Sequence, residues 1–106
     1  DLMDAVTALS GSGPAYVFLF VECLIEAGQA VGLSAEAAST LARQTLKGSL
    51  ALLEYSTEDP ATLRERVTSK GGTTQAALDV FESKKIRQMF KDALKAAKNR
   101  AKELSK

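Results

Sequence analysis

A chain of 106 residues with 45% hydrophobic residues, 25% charged residues and a formal net charge of +1 reads as one ordinary globular domain, and as a whole it is neither a polyanion binder nor an acidic tail. A domain of this size buries roughly 60–70% of its unfolded surface, so its core is modest. With no histidine and one cysteine, Cys23, a disulfide framework and an ordinary zinc site are excluded within one chain; no metal is expected, and a reducing cytoplasm is the natural compartment.

The absence of Trp, the two prolines and the wealth of Ala and Leu favour helix. The opening Asp1-Leu2-Met3-Asp4 has neither an initiator methionine nor a signal peptide, as expected of a piece of a longer chain. Leu2, Ala5, Val6 and Leu9 recur at helical spacing and predict a short helix over 1–10, broken by Ser10-Gly11-Ser12-Gly13-Pro14. Pro14 suits the first position of a second helix, reaching Val31 and ended by Gly28 and Gly32.

That second helix is apolar almost all round, from Tyr16 to Ala27. It approaches the length of about 20 apolar residues that a membrane span needs, but Glu22, Glu26 and Gln29 stand one turn apart on one face and argue against a membrane. A helix of this kind is buried, and a small domain has little capacity to cover one completely. Burial against a second copy of the chain is the expected remedy.

Ser34 caps a third helix over 35–55, with a packing stripe of Leu41, Ala42, Thr45, Leu46, Ser49, Leu50 and Leu53 and a small Gly48 that permits close approach. Asp59 and Pro60 open a short helix over 61–67. Another runs over 73–82, and a last amphipathic helix follows Ser83 to about Leu104. Residues 84–106 carry nine Lys/Arg against two Asp/Glu. No aromatics interleave with these cations and opposite charge lies upstream, so a solvated helix face is expected and no nucleic acid. The pattern is all-α.

Val67-Thr68-Ser69-Lys70-Gly71-Gly72-Thr73-Thr74 is the stretch with chemical potential. Paired glycines turn sharply and let a ligand approach the backbone. A helix opening near Thr73 leaves amides without intrahelical partners and a partial positive charge, fit for a carboxylate or phosphate. The plainer alternative is a turn between helices, with a threonine as cap. No His, paired carboxylates or Cys–His pair is available for hydrolysis, and no G-x-G-x-x-G follows a strand. What remains can hold a small anion and supplies no redox cofactor.

Ala8-Leu9-Ser10-Gly11-Ser12-Gly13-Pro14-Ala15-Tyr16, followed at the family's spacing by Val67 to Thr74, resembles the pyrroline-5-carboxylate reductases. Pro60, Leu63, Val67, Ser69, Gly71, Gly72, Thr74, Ala77 and Leu78 fit the family signature in register, and the likeness covers essentially the whole chain. Lys70 stands where proline is common in the family, and Lys84-Lys85 replaces a more glycine-rich stretch.

The resemblance implies a helical bundle forming an intertwined dimer, the C-terminal domain of a reductase of the 6-phosphogluconate-dehydrogenase C-terminal kind. NADPH or NADH would be bound by a separate N-terminal Rossmann domain absent from residues 1–106. The implied reaction reduces 1-pyrroline-5-carboxylate to L-proline, and the fragment alone is expected to be inactive. Ser69, Gly71, Gly72, Thr73 and Thr74 would bind substrate: the Ser69 hydroxyl and the amides of Gly72 and Thr73 on the carboxylate, and Thr74, as catalytic residue, on the ring nitrogen. Ser10, Gly11, Ser12 and Gly13 would lie toward the cofactor. A cytoplasmic homodimer follows, or a larger assembly of dimers. The alternative is a stand-alone helical dimer that binds a small carboxylate such as proline without catalysis.

Overall fold

The computed structural model describes all 106 residues and contains helices and no strand. In chain order these are α1 (Leu2–Val6), a π-helical turn (Thr7–Gly11), α2 (Gly13–Ala30), α3 (Ala35–Tyr55), α4 (Pro60–Arg66), α5 (Thr73–Ser83) and α6 (Ile86–Leu104). They fall into two compact units, one of residues 1–15 with 67–106 and one of residues 16–66.

In the unit of residues 16–66, α2 ends where Gly32 takes a φ of +112° that only glycine adopts freely. The Leu33 amide donates to the Gly28 carbonyl and the Gly32 amide to the Gln29 carbonyl, both at 3.0 Å, which together form a Schellman cap. Gly28 itself lies inside the helix and does not end it, contrary to expectation. A Cβ placed there would sit 3.1 Å from the Ala38 Cβ and 3.5 Å from Leu33 Cδ1, so glycine lets α2 and α3 cross tightly beside their turn. The Ser34 hydroxyl accepts the Ala37 amide at 3.1 Å and caps α3 as expected.

The buried residues of α3 are Ala38 and Ala42. Of the expected stripe, Ala42 is buried and Leu46 half-buried, whereas Leu41, Leu50 and Leu53 are exposed. Away from the tight crossing the two helices leave a groove of about 460 Å³ between them. Nothing in the chain approaches Gly48. Asp59 accepts the Thr62 amide at 2.8 Å and starts α4, with Pro60 at its first position. An ion pair joins Arg66 to Glu58.

In the other unit α6 packs against α1, the π-helical turn and α5, and Ala8 of the turn is buried. The expected break at Ser10–Pro14 is instead this π-helical turn, so helix runs almost without interruption over Leu2–Ala30. Pro14 has no N–H to give the Ser10 carbonyl, and the wider turn, in which the Ser12 amide reaches the Thr7 carbonyl at 2.9 Å, absorbs the mismatch. By length and composition this run could cross a membrane, and little of it is buried within the chain.

The last helix starts at Ile86, later than expected, because Lys85 adopts the left-handed conformation (φ 60°, ψ 48°) between α5 and α6. A glycine-rich stretch would meet this geometry without cost. Arg87 pairs with Glu82 at 2.9 Å, the one member of the basic run whose acid lies upstream of it in sequence, while Arg100 pairs with Glu103 inside α6. Hydrogen bonding to Glu82 raises the Arg87 pKa further above its ordinary value.

Candidate functional site

The loop between α4 and α5 is built on one tight turn. The Gly72 amide donates to the Ser69 carbonyl at 3.0 Å across four residues, and the third of them, Gly71, has φ +75°. That bond and that dihedral are those of a type II turn, which needs glycine at its third position and favours proline at its second. Lys70 occupies the second position, where this turn geometry would also accept the proline expected from the resemblance.

Gly72 is glycine for a different reason. Its backbone is extended (φ −90°, ψ −172°), but a Cβ there would stand 3.2 Å from Ser69 Oγ and 3.3 Å from the Ser69 carbonyl oxygen. The bare Cα thus leaves room for the Ser69 hydroxyl at the start of α5. No side chain caps this helix, and the first amide to find a helical carbonyl is that of Ala76, 3.1 Å from the Gly72 oxygen. The amides of Thr73, Thr74 and Gln75 therefore open the helix without a partner in the chain.

The Gly72 amide, one of the two expected at the ligand, is held by the Ser69 carbonyl in this structure, while those of Thr73 and Thr74 have no partner in the chain. Gly72→Val would first displace Ser69, before it crowded any ligand. Ser69, Gly71 and Thr73 are exposed, while Gly72 and Thr74 are half-buried. The Gln75 side chain is tied to Asp79 at 2.7 Å and faces along the helix.

Ser10, Gly11, Ser12 and Gly13 belong to the same unit as the loop, and the π-helical turn that holds Ser10 and Gly11 shares α6 as a neighbour with α5. Ser10 and Gly11 are exposed and Ser12 and Gly13 half-buried. A Cβ on Gly11 would make only an ordinary 3.6 Å contact with Thr7, and one on Gly13 would meet nothing within 4 Å. Packing within the chain does not require either glycine. Sequence reasoning missed the π-helical turn, although proline four residues after Ser10 signals a lost helical bond. This unit carries ten Lys/Arg and six Asp/Glu, while residues 16–66 carry four and seven. The candidate anion site thus lies in the positively charged part of the chain.

Together these features define an all-α domain with a glycine turn that opens a helix and, in its other unit, a long apolar hairpin. The family model described as "Pyrroline-5-carboxylate reductase dimerisation" matches residues 1–104, and the chain belongs to that family. It is 47% identical over 103 residues to the pyrroline-5-carboxylate reductase of Pseudomonas aeruginosa, covering 97% of this chain and 38% of that protein. With the Arabidopsis thaliana reductase it shares 44% identity over 104 residues, 98% of this chain and 38% of the relative. Among solved structures, the Plasmodium falciparum pyrroline carboxylate reductase with NADP bound matches at a TM-score of 0.93 and 38% identity, over 98% of this chain and 42% of that one. The Coxiella burnetii reductase matches at 0.93 and 48%, over 97% and 38%. The chain spans about two-fifths of the length of these relatives.

Proposed function

We propose that residues 1–106 form the substrate-binding and dimerisation part of a pyrroline-5-carboxylate reductase, which reduces 1-pyrroline-5-carboxylate to L-proline. The observation that carries this reading is the Ser69–Gly72 turn, which folds Ser69 against Gly72, next in sequence to the unpartnered amides of Thr73 and Thr74. Two amides and a hydroxyl converging at a helix N-terminus suit one carboxylate. The Thr74 hydroxyl, one residue further along α5, is read as the hydrogen-bond partner of the ring nitrogen. Fixing the ring at both ends presents one face of its C=N bond and polarises it.

The residues present do not fit a dinucleotide. With no strand there is no strand–glycine–helix crevice, so NADPH or NADH, the source of the hydride, is held by a Rossmann domain outside these residues. Ser10 to Gly13 are read as the edge that faces it.

The chain on its own buries only Ala8, Ala38 and Ala42, and none of its large side chains is buried. Phe18 is 66% exposed and Leu19 59%. Glu22 and Glu26 would be costly in hydrocarbon, so α2 is read as covered by protein, in an intertwined homodimer or a larger assembly of such dimers. A cytoplasmic setting agrees with the lone free Cys23.

Two measurements test this. L-Proline added to the isolated chain should shift the amide NMR signals of Thr73 and Thr74; shifts confined to other residues would remove the loop from its role. In a fusion to the dinucleotide-binding domain of the Pseudomonas relative, Thr74→Ala should lower kcat/KM about ten- to a hundredfold. Amide shifts together with an inactive fusion would favour the stand-alone proline binder.

A further inference from the structure

The groove between α2 and α3 is lined by Val17, Phe18, Val21, Ile25, Leu46 and Leu50, and three charged residues also border it: Glu22 on α2, Arg43 and Lys47 on α3. Within one chain this acid and these bases form no ion pair. Arg43 reaches only the Ser39 hydroxyl, at 3.3 Å, and neither Glu22 nor Lys47 has a hydrogen-bond partner. An acid sits on one helix and two bases on the other, all at the margin of an apolar trough.

A two-fold axis turns that arrangement into a matched pair. In an isologous interface, whatever one copy offers it also receives. If α2 of a second copy enters the trough with its Val17, Phe18, Val21 and Ile25 face, its Glu22 travels with that face toward Arg43 and Lys47 of the first copy. The same contact recurs on the other side of the axis. Apolar burial drives such an association but does not by itself fix how far one helix slides along another; opposite charges at the margin do.

We infer that Glu22 of one copy pairs with Arg43 and Lys47 of the other and sets the register of the homodimer. This rests on the dimer reading above and adds to it the residues that select the partner's alignment. In the mismatched registers Glu22 lies against apolar surface or against its own counterpart, and the cations are left unpaired.

Charge exchange tests the inference. The reversed variants E22K and R43E/K47E are each purified and brought to low ionic strength, where the pairing is least screened. Each alone should dimerise at least about tenfold more weakly than the parent chain, because like charges then meet twice across the axis. An equimolar mixture should recover near-parental affinity, and native mass spectrometry should show the heterodimer as the dominant species. Should either variant need its partner in order to fold, the mixture regains helical circular dichroism that neither component has alone, which supports the same conclusion.

A mixture no tighter than its components overturns the inference, provided that the parent chain is a dimer. So does recovery in the triple variant E22K/R43E/K47E without recovery in the mixture, because that outcome places the pair inside one chain. A parent chain that sediments as a monomer instead removes the dimer reading itself, so the two failures are distinguishable.

Discussion

The two units of this chain solve different problems with the same material. Residues 1–15 and 67–106 wrap three short elements around α6, carry the positive surplus and hold a loop whose geometry is fixed by backbone bonds and two glycines. Residues 16–66 have long, well-capped helices and almost nothing buried between them beyond Ala38 and Ala42. The first unit buries only Ala8 and keeps the amides at the start of α5 without a partner in the chain. The second keeps the apolar side chains that line the α2–α3 groove open. Open amides and open apolar side chains thus lie in separate parts of the chain.

The largest expected effect breaks the second half of that contrast. Phe18→Asp places a charge at the wall of the α2–α3 groove and should weaken self-association about a hundredfold or more, as loss of a central aromatic anchor does. Sedimentation across a concentration series reads it. The matched change in the first unit, Lys91→Asp on the exposed face of α6, should leave association unchanged. Equal effects at both sites would erase the distinction between the units.

A smaller effect tests how the hairpin is held. Gly28→Val drives a branched side chain into Ala38, already 3.1 Å from where a Cβ would stand, and should cost about 1–3 kcal/mol. Urea unfolding at fixed chain concentration measures it, because stability and association are linked. Unchanged stability would show that the crossing has room to relax.

These elements also show what a sequence reveals. Ser34, Asp59 and Pro60 announced their helix starts because capping depends on one residue and its next three neighbours. Gly71 was legible for the same reason, since a positive φ is a local demand. The role of Gly72 was not: its constraint comes from the fold of the turn onto Ser69, whose carbonyl also takes up the Gly72 amide. Likewise the α3 stripe was misread at Leu41, Leu50 and Leu53, because helical periodicity finds an apolar face without saying whether the chain itself or another copy covers it. The π-helical turn escaped because its cause, Pro14, was read as a boundary between helices.

Within the first unit, Lys85 is the one residue other than glycine with positive φ. Left-handed backbone costs a residue with a Cβ about 1–2 kcal/mol, and glycine gives part of that back through its larger unfolded-state freedom. Lys85→Gly should therefore stabilise the chain by about 0.5–1 kcal/mol, seen as a raised thermal midpoint. A neutral or destabilising result would mean that the Lys85 side chain supplies an offsetting interaction.

The smallest effect concerns pH and belongs to the second unit. Hydrogen bonding from the Thr62 backbone, and then from its side chain, lowers the Asp59 pKa below the ordinary carboxylate value. A carboxylate with a depressed folded-state pKa contributes stability above its unfolded pKa and loses it as pH falls through the folded value. The α4 cap should thus weaken only in acid, below the usual carboxylate range. Asp59→Asn keeps the capping oxygen, since Asn and Asp cap about equally well, but does not titrate. Its expected signature is unchanged stability at neutral pH and a shallower acid decline than the parent, read by urea midpoints across an acid series. An unaltered acid slope would show that the Asp59 cap does not contribute to that decline.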